Sequence, residues 1–203
     1  MSGVNYSNAS IHKSDLLLIE NYAASLGGGG GGGSSKPICF TATQTVSTTI
    51  PSATSDVLLS FSSFNGSLSG FLEQDSQTFR WNESRTGVFI AKFVARATNS
   101  NALPSQVRIA VQIMTGNSGA PTALVNGAGV CLVSGNSSPE TTTEANLVLI
   151  TPRFSLNNGQ VIQVRAGQSS SNASGVAFDG VNVTTTPRTF DSPSYTLFVQ
   201  EVL

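Results

Sequence analysis

The sequence predicts an all-β, antiparallel sandwich or jelly roll, preceded by a short N-terminal helix and a polyglycine linker. Short segments rich in Val, Ile, Phe and Thr follow Pro37 up to the C-terminus, and Gly, Asn, Ser and Pro punctuate them. The appendage is predicted by an apolar, helix-patterned segment that ends in seven consecutive glycines. We therefore divide the chain into an arm with an anchoring helix (1–26), a Gly/Ser linker (27–36) and a jelly-roll head domain (37–203).

The segment 14–26 has the pattern of a short amphipathic helix. Ser14 is a suitable N-cap, and Gly27 is a suitable C-cap. Helical spacing brings four apolar residues onto one stripe: Leu16, Ile19, Ala23 and Leu26. A helix of about 12 residues is marginal in isolation, so the stripe must pack against the head, against copies of itself or against another protein. The flexible linker favours the last two, which makes the stripe a candidate anchor or oligomer interface.

The glycine tract is predicted to be a hinge, represented by Gly27, Gly30 and Gly33. A phosphate-binding loop lies between a strand and a helix, whereas this tract follows a helix. The Gly-X-Y period of collagen is also absent. Seven residues of random coil span about 13–16 Å, so the hinge separates the helix from the head.

The head is predicted to contain eight or more antiparallel strands and no helix. Alternation is clearest where Phe89 and Phe93 share one face with small alanines, and again where Ile109 and Ile113 alternate with Ala110, Gln112 and Met114. Asn158-Gly159 predicts a tight hairpin turn. The strand candidates are 38–46, 56–64, 79–81, 87–98, 106–115, 146–156, 160–168 and 194–203.

Charge and hydropathy exclude two classes of partner. Only 10% of the residues are charged and the formal net charge is -1, so the sequence predicts no binding to nucleic acid. No apolar run approaches the roughly 20 residues that span a bilayer, and the first thirteen residues lack an apolar signal core. We expect synthesis in a host cytoplasm and no membrane insertion.

Few residues suggest catalysis. The single histidine, His12, precedes the helix, so a Ser-His-Asp or Cys-His system is not expected in the head. Cys39 and Cys131 are interpreted as buried free thiols, although a disulfide between them stays open. One histidine and two distant cysteines do not suit a zinc site. We predict no enzyme activity, no catalytic residue, no cofactor and no metal.

Two features have alternative interpretations. The carboxylates of Glu73, Asp75 and Glu83 either solvate charged loops or contribute to a glycosidase or calcium site, and the first interpretation is the simpler. Trp81, the only tryptophan, is either a core residue or a candidate ligand contact that stacks on a sugar. The stretch 176–191 is predicted to be a long exposed excursion before the last strand.

Several segments together resemble the TNF/C1q-like jelly-roll head. They are a Gly-aromatic strand with Gly87 and Phe89, a Leu-x-x-Gly turn from Leu156 to Gly159 that leads into a strand, and the closing SYTLFVQEVL. The resemblance covers about residues 38–203. It implies a compact homotrimer whose flat faces and edges are buried against neighbouring subunits. Similar heads occur in bacteriophage spike, fibre and capsid decoration proteins.

The resulting hypothesis is a structural virion protein, exposed on the virion surface as a homotrimeric capsid decoration, cement or spike protein. Its partners are then itself and the capsid or tail proteins that hold the N-terminal segment. The alternative hypothesis is a receptor- or glycan-binding head of a phage tail fibre, with a host surface glycan as partner. An enzyme acting on surface polysaccharide is the weakest of the three.

Overall fold

The computed structural model describes residues 39–51, 55–66, 70–100, 107–133, 143–169, 175–185 and 188–202. The predicted arm, helix and glycine hinge lie outside the described residues. No helix in these ranges is long and apolar enough to span a bilayer.

The described residues form β-strands joined by turns and short irregular segments. The strands are β1 (Cys39–Gln44), β2 (Thr48–Thr49), β3 (Val57–Leu58), β4 (Ser63–Asn65), β5 (Phe71–Asp75), β6 (Thr78–Trp81), β7 (Gly87–Asn99), β8 (Val107–Asn117), β9 (Thr122–Val133), β10 (Thr143–Ile150), β11 (Phe154–Leu156), β12 (Gln160–Gln168), β13 (Val176–Phe178), β14 (Val181–Thr185), β15 (Arg188–Ser192) and β16 (Tyr195–Glu201).

Two antiparallel sheets make up the sandwich. The first sheet has the order β2-β13-β7-β16-β1-β4, and β10 and β11 also pair with β7. The second sheet has the order β5-β6-β12-β8-β9, and β3 pairs with β12. Strands β14 and β15 form a separate two-stranded ladder. The predicted all-β antiparallel jelly-roll sandwich is confirmed.

The core lies between the sheets and is rich in aromatic rings. Phe89 and Phe93 on β7 and Ile109 and Ile113 on β8 are fully buried. The residues at the alternate positions of the two strands, Ile90, Lys92, Ala110 and Gln112, are half-buried or exposed. The alternation predicted for both strands is therefore confirmed. Since one face of each strand must leave water, the apolar period specifies which side of the strand enters the core.

The predicted hairpin at Asn158-Gly159 is wrong, although the turn itself is present. Gly159 has a φ of +84°, and the Gln160 amide donates to the Asn157 carbonyl at 3.0 Å. However, β11 pairs with β7 in the first sheet, whereas β12 pairs with β8 in the second. A ladder between β11 and β12 would be limited by the three residues of β11, while β8 offers β12 nine register positions. The turn therefore carries the chain from one sheet to the other.

The segment 146–156, predicted as one strand, is divided into β10 and β11 at Pro152. Proline has no amide hydrogen to donate to a ladder. The preceding Thr151 bridges the break, because its amide donates to the Ala91 carbonyl and its hydroxyl accepts from the Ala91 amide, both at 2.9 Å. The chain therefore stays attached to β7 across the interruption.

Two strands of the second sheet are absent from the predicted set. Strand β9 has the sequence TALVNGAGVCLV, in which Gly, Ala and Asn weaken the strand signal. Strand β5 has the sequence FLEQD, and only Phe71 within it is buried. Both strands form because a neighbouring strand supplies hydrogen-bond partners, which is information that local composition does not contain.

Candidate self-association surface on the first sheet

The outer face of the first sheet is the candidate functional surface. It is built around β7, whose inward residues fill the core while the alternate residues face outward. In one cross-strand row Lys92 pairs with Phe198 of β16 and with Ile150 of β10. In the next row Val94 pairs with Thr196 and Val148. Paired residues share a face, so these rows form a continuous surface.

This surface is unusually apolar for the solvent side of an antiparallel sheet, which is ordinarily polar. The exposed fractions are 43% for Phe198, 56% for Val148 and 62% for Ile150. Val94 between them is half-buried. We call this set, Val94, Val148, Ile150 and Phe198, the apolar face. Contiguous exposed apolar patches are typical of interaction sites, so the apolar face is the candidate contact surface.

Lys92 is the charged residue at the centre of the apolar face. Its register neighbours on both sides are apolar, and it forms no ion pair with any described residue. Its aliphatic stem can lie along apolar neighbours while the ammonium group stays in water. A second molecule that covers this face must therefore offer the Lys92 ammonium group an anion or leave it in contact with water.

Arg96 marks one border of the apolar face, and the first sheet is interrupted there. Phe178, the last residue of β13, pairs with Ala97, and Tyr195, the first of β16, pairs with Ala95. Strands β13 and β16 thus follow each other along one strand position beside β7. The Asp179 amide donates to the Arg96 carbonyl at 3.0 Å, and the Arg96 amide donates to the Ser194 carbonyl at 3.2 Å. Residues 179–194 therefore form an excursion, a segment that leaves the first sheet beside Arg96 and returns to it beside the same residue.

The Arg96 side chain shows on which face the excursion emerges. Arg96 alternates with the buried Ala95 and Ala97, so it faces outward. Its guanidinium donates from Nη1 to the Gly180 carbonyl at 3.1 Å and from Nε to Glu144 Oε2 at 2.9 Å. The first leg of the excursion is thus held on the outer face. A pocket of about 260 Å³ beside it is lined by Val94, Ala95, Arg96, Asn146, Ser192, Pro193 and Thr196.

The structure places Trp81 in the core, which is the first of the two interpretations that the sequence allows. Its side chain is 0% exposed, with ring centroids 5.1 Å from Phe71 and 5.0 Å from Phe89. The indole N–H donates to the Arg85 carbonyl at 2.8 Å, and the Arg85 guanidinium lies 5.3 Å from the ring centroid. Neither ring face is available to a sugar, so the ligand-contact prediction for Trp81 does not fit this arrangement.

Two charged residues close to Trp81 in the sequence, Arg85 and Asp75, have partners in the structure. Arg85 forms an ion pair with Glu201, with Nη2 donating to Oε2 at 2.8 Å. This hydrogen bond is the main cause of a raised pKa for the Arg85 guanidinium. Asp75 accepts from the Gln77 amide at 2.8 Å. In the described part of the chain no group of three or more His, Cys, Asp or Glu side chains could hold a metal ion.

Cys131 is a free, half-buried thiol on β9. Burial raises its pKa, which keeps it in the weakly nucleophilic thiol form. Cys39 begins β1, and because Cys131 is free the structure contains no disulfide between the two cysteines. The candidate anchor residues Leu16, Ile19, Ala23 and Leu26, the hinge residues Gly27, Gly30 and Gly33, and His12 lie outside the described residues.

No single motif in the sequence identifies the apolar face. A signal was nevertheless present, because the run LVLI in β10 is apolar at consecutive positions. Its Leu147 and Leu149 are buried, while Val148 and Ile150 are exposed. A strand that is apolar on both sides is typical of one covered on both sides. Sequence alone could not assign the second cover, because it shows neither the neighbouring strands nor their outward residues.

Comparisons with known proteins give likenesses among solved structures only. No family model matches the sequence, and no curated protein matches it. The crystal structure of murine APRIL at pH 5.0 is similar with a TM-score of 0.45 and 13% identity, over 82% of this chain and 100% of that one. Eiger TNF from S. frugiperda is similar with a TM-score of 0.45 and 10% identity, over 82% of this chain and 92% of that one.

Proposed function

We propose that this chain is a non-enzymatic structural protein of a virion, a homotrimeric jelly-roll head that decorates, cements or forms a spike on a bacteriophage particle. The observation that carries the self-association is the apolar face, with three exposed large apolar side chains around one lysine. The number of three subunits comes from the sequence resemblance to TNF/C1q-like heads. Attachment to a capsid or tail protein comes from the predicted anchoring helix and hinge.

Burial between subunits is the simplest way to cover the apolar face. Apolar surface removed from water contributes about 25 cal/mol per Å², and closed symmetry covers the same patch on every copy. The low charge of the chain adds little repulsion, since its formal net charge is -1. The same residues left in water would favour irregular aggregation.

Two matched valine substitutions test the self-association. Val148 lies on β10 of the first sheet and is 56% exposed, whereas Val130 lies on β9 of the second sheet and is 63% exposed. Val148→Asp would introduce a carboxylate into the proposed contact, where desolvation without a partner is costly. We expect sedimentation of the full chain at micromolar concentration to give three chains of 21.0 kDa each. Val148→Asp should give a single chain, and Val130→Asp should behave like the wild type.

Two results would contradict the proposed assembly. One is a wild-type protein that sediments as a single chain at every concentration. The other is an equal effect of Val148→Asp and Val130→Asp, which would mean that the first sheet has no special role.

Attachment to the particle is tested separately. A chain that lacks residues 1–33 should keep the assembly state of the full chain but should no longer associate with particles, measured by co-sedimentation. Full occupancy of the particle by the truncated chain would mean that the N-terminal segment is not the anchor. The receptor- or glycan-binding alternative, through loops near Trp81 or within 168–190, stays a prediction; the buried Trp81 ring itself is not open to a stacked sugar.

A further inference from the structure

We propose that the excursion 179–194, with its hairpin β14–β15, is part of the contact between copies of this chain. The inference rests on the proposed self-association and extends it beyond the flat sheet. Its occupant is a second copy of the chain, which would receive the hairpin when it covers the apolar face.

The position of the hairpin is the first support. Asp179 and Ser194 both bond to the backbone of Arg96, so about sixteen residues leave and return within one step of the β7 ladder. The Arg96 side chain holds the Gly180 carbonyl on the outer face. Ser192 and Pro193 line a pocket together with Val94 of the apolar face. A second copy that covers Val94 and Val148 therefore meets the base of the hairpin.

The pairing of the hairpin is the second support. Among the described strands, β14 and β15 pair only with each other. A two-stranded hairpin is marginally stable in water without a covering layer. The hairpin therefore has no neighbouring strand among those that the structure describes, and a second molecule can supply the missing layer.

The hairpin borders the apolar face, and this continuity identifies a second copy of the chain as the molecule that contacts the hairpin. The hairpin borders a surface that already needs cover, so one approaching molecule can bury both. A second copy of the chain presents the same apolar face, and symmetric assembly repeats the contact on every subunit. The hairpin then either contributes to the contact or obstructs it, and a conformation held by hydrogen bonds at both legs of its base favours contribution.

Shortening the hairpin tests the proposal in the full chain. Val181 pairs with Ser192, and Gly180 lies so close to the Ser192 carbonyl oxygen that a Cβ at this position would overlap with it. The two legs are therefore adjacent, and Asn-Gly can replace residues 182–191 as a two-residue turn. We expect the dissociation constant of the assembly, measured by sedimentation over a dilution series, to rise about tenfold. A rise of less than about threefold in a correctly folded variant would overturn the inference.

Hydrogen exchange provides a readout that does not depend on the shortened variant. The amides of residues 181–192 should exchange about tenfold faster in dispersed Val148→Asp than in the assembled wild type. The amides of β8 should exchange alike in both, as an internal control. Equal exchange of the hairpin in both proteins would overturn the inference.

The two proposals fail differently. A wild-type chain that is monomeric at every concentration would overturn the proposed assembly, and this inference with it. An assembled wild type whose shortened variant assembles equally well would overturn this inference alone.

Discussion

At the scale of single residues, the buried carboxylate of Glu201 shows how the C-terminal strand is secured to the start of β7. The Glu201 side chain is 3% exposed, whereas its partner Arg85 is 45% exposed. Arg85 also lies over the Trp81 ring and accepts the indole N–H through its backbone carbonyl. One arginine thus neutralises a buried charge and covers the aromatic core, which explains why a charged residue lies beside the only tryptophan.

Arg85→Ala should leave the Glu201 carboxylate buried without its cation. We expect a loss of about 2–3 kcal/mol in the free energy of unfolding, less than for a fully buried pair because Arg85 is partly hydrated. The matched control is Arg165→Ala, whose partner Asp56 is 53% exposed, and which should cost about 0–1 kcal/mol. Urea unfolding measures both. Equal losses would show that the burial of Glu201 does not matter to stability.

The ionisation of Tyr195 makes the stability of the folded protein depend on pH in the alkaline range. Its hydroxyl donates to the Ser60 carbonyl, and its ring packs against Phe61, Phe93 and Phe178. Burial is the largest cause of a raised pKa for Tyr195. The folded state then favours the neutral phenol, so this contribution to stability is complete below the unfolded pKa of about 10 and is lost as pH rises through the folded pKa.

Tyr195→Phe should therefore be less stable at pH 7 but less sensitive to alkali. Loss of the hydrogen bond to Ser60 should cost about 1 kcal/mol. Above about pH 10 the variant should lose less stability than the wild type, because it lacks the ionising phenol. Chemical unfolding from neutral to alkaline pH measures the difference. Parallel stability curves for the two proteins would exclude Tyr195 as the titrating group.

At the scale of elements, the turn at Gly159 is the clearest case of a local sequence signal that the fold uses differently. The positive φ requires glycine or a residue that tolerates the left-handed region. The Gly159 amide also donates to the Trp81 carbonyl at 2.8 Å, which ties the turn to β6. Asn-Gly in the sequence thus predicts where the chain turns, but the partners of the two flanking strands come from elsewhere in the fold.

Gly159→Ala should destabilise the protein through its backbone alone. A Cβ there would meet Arg80 Nη2 at 3.5 Å, an ordinary contact, so the expected cost of about 1–2 kcal/mol comes from the left-handed conformation. Gly119→Ala is the control, because a Cβ there meets nothing within 4 Å, and it should change stability by a few tenths of a kcal/mol or less. Thermal unfolding compares the two. A neutral Gly159→Ala would show that the turn can relax.

Strand β10 shows at the same scale why the candidate surface was harder to predict than the fold. Its inward residues Leu147 and Leu149 could be expected from the apolar run. The exposure of Val148 and Ile150 depends on the absence of a further described layer over the outer face. Strand periodicity separates two faces, but it does not say which molecule covers the second one.

At the scale of the whole molecule, the apolar face and the excursion lie on the same side of the first sheet. Among the side chains that the structure describes, the large exposed apolar residues of the second sheet are Val130 and Leu72, and they lie on strands at opposite edges of that sheet. Continuity therefore distinguishes the first sheet as the proposed contact. A head assembled through this face would bring several N-terminal segments together, and linked attachment points strengthen binding to a particle without new contacts.

Local sequence patterns are sufficient to predict the class of fold, the long strands β7, β8, β12 and β16, and the turn at residues 158–159, because apolar alternation and turn chemistry are local properties. Three other features are seen in the folded chain alone: β11 and β12 join different sheets, Trp81 is enclosed, and Phe198, Val148 and Ile150 share an exposed face. These features depend on pairing between strands far apart in sequence. Hydrogen bonds and burial are optimised over the whole sandwich. The candidate surface combines residues of three strands, so it exists only when those strands are paired.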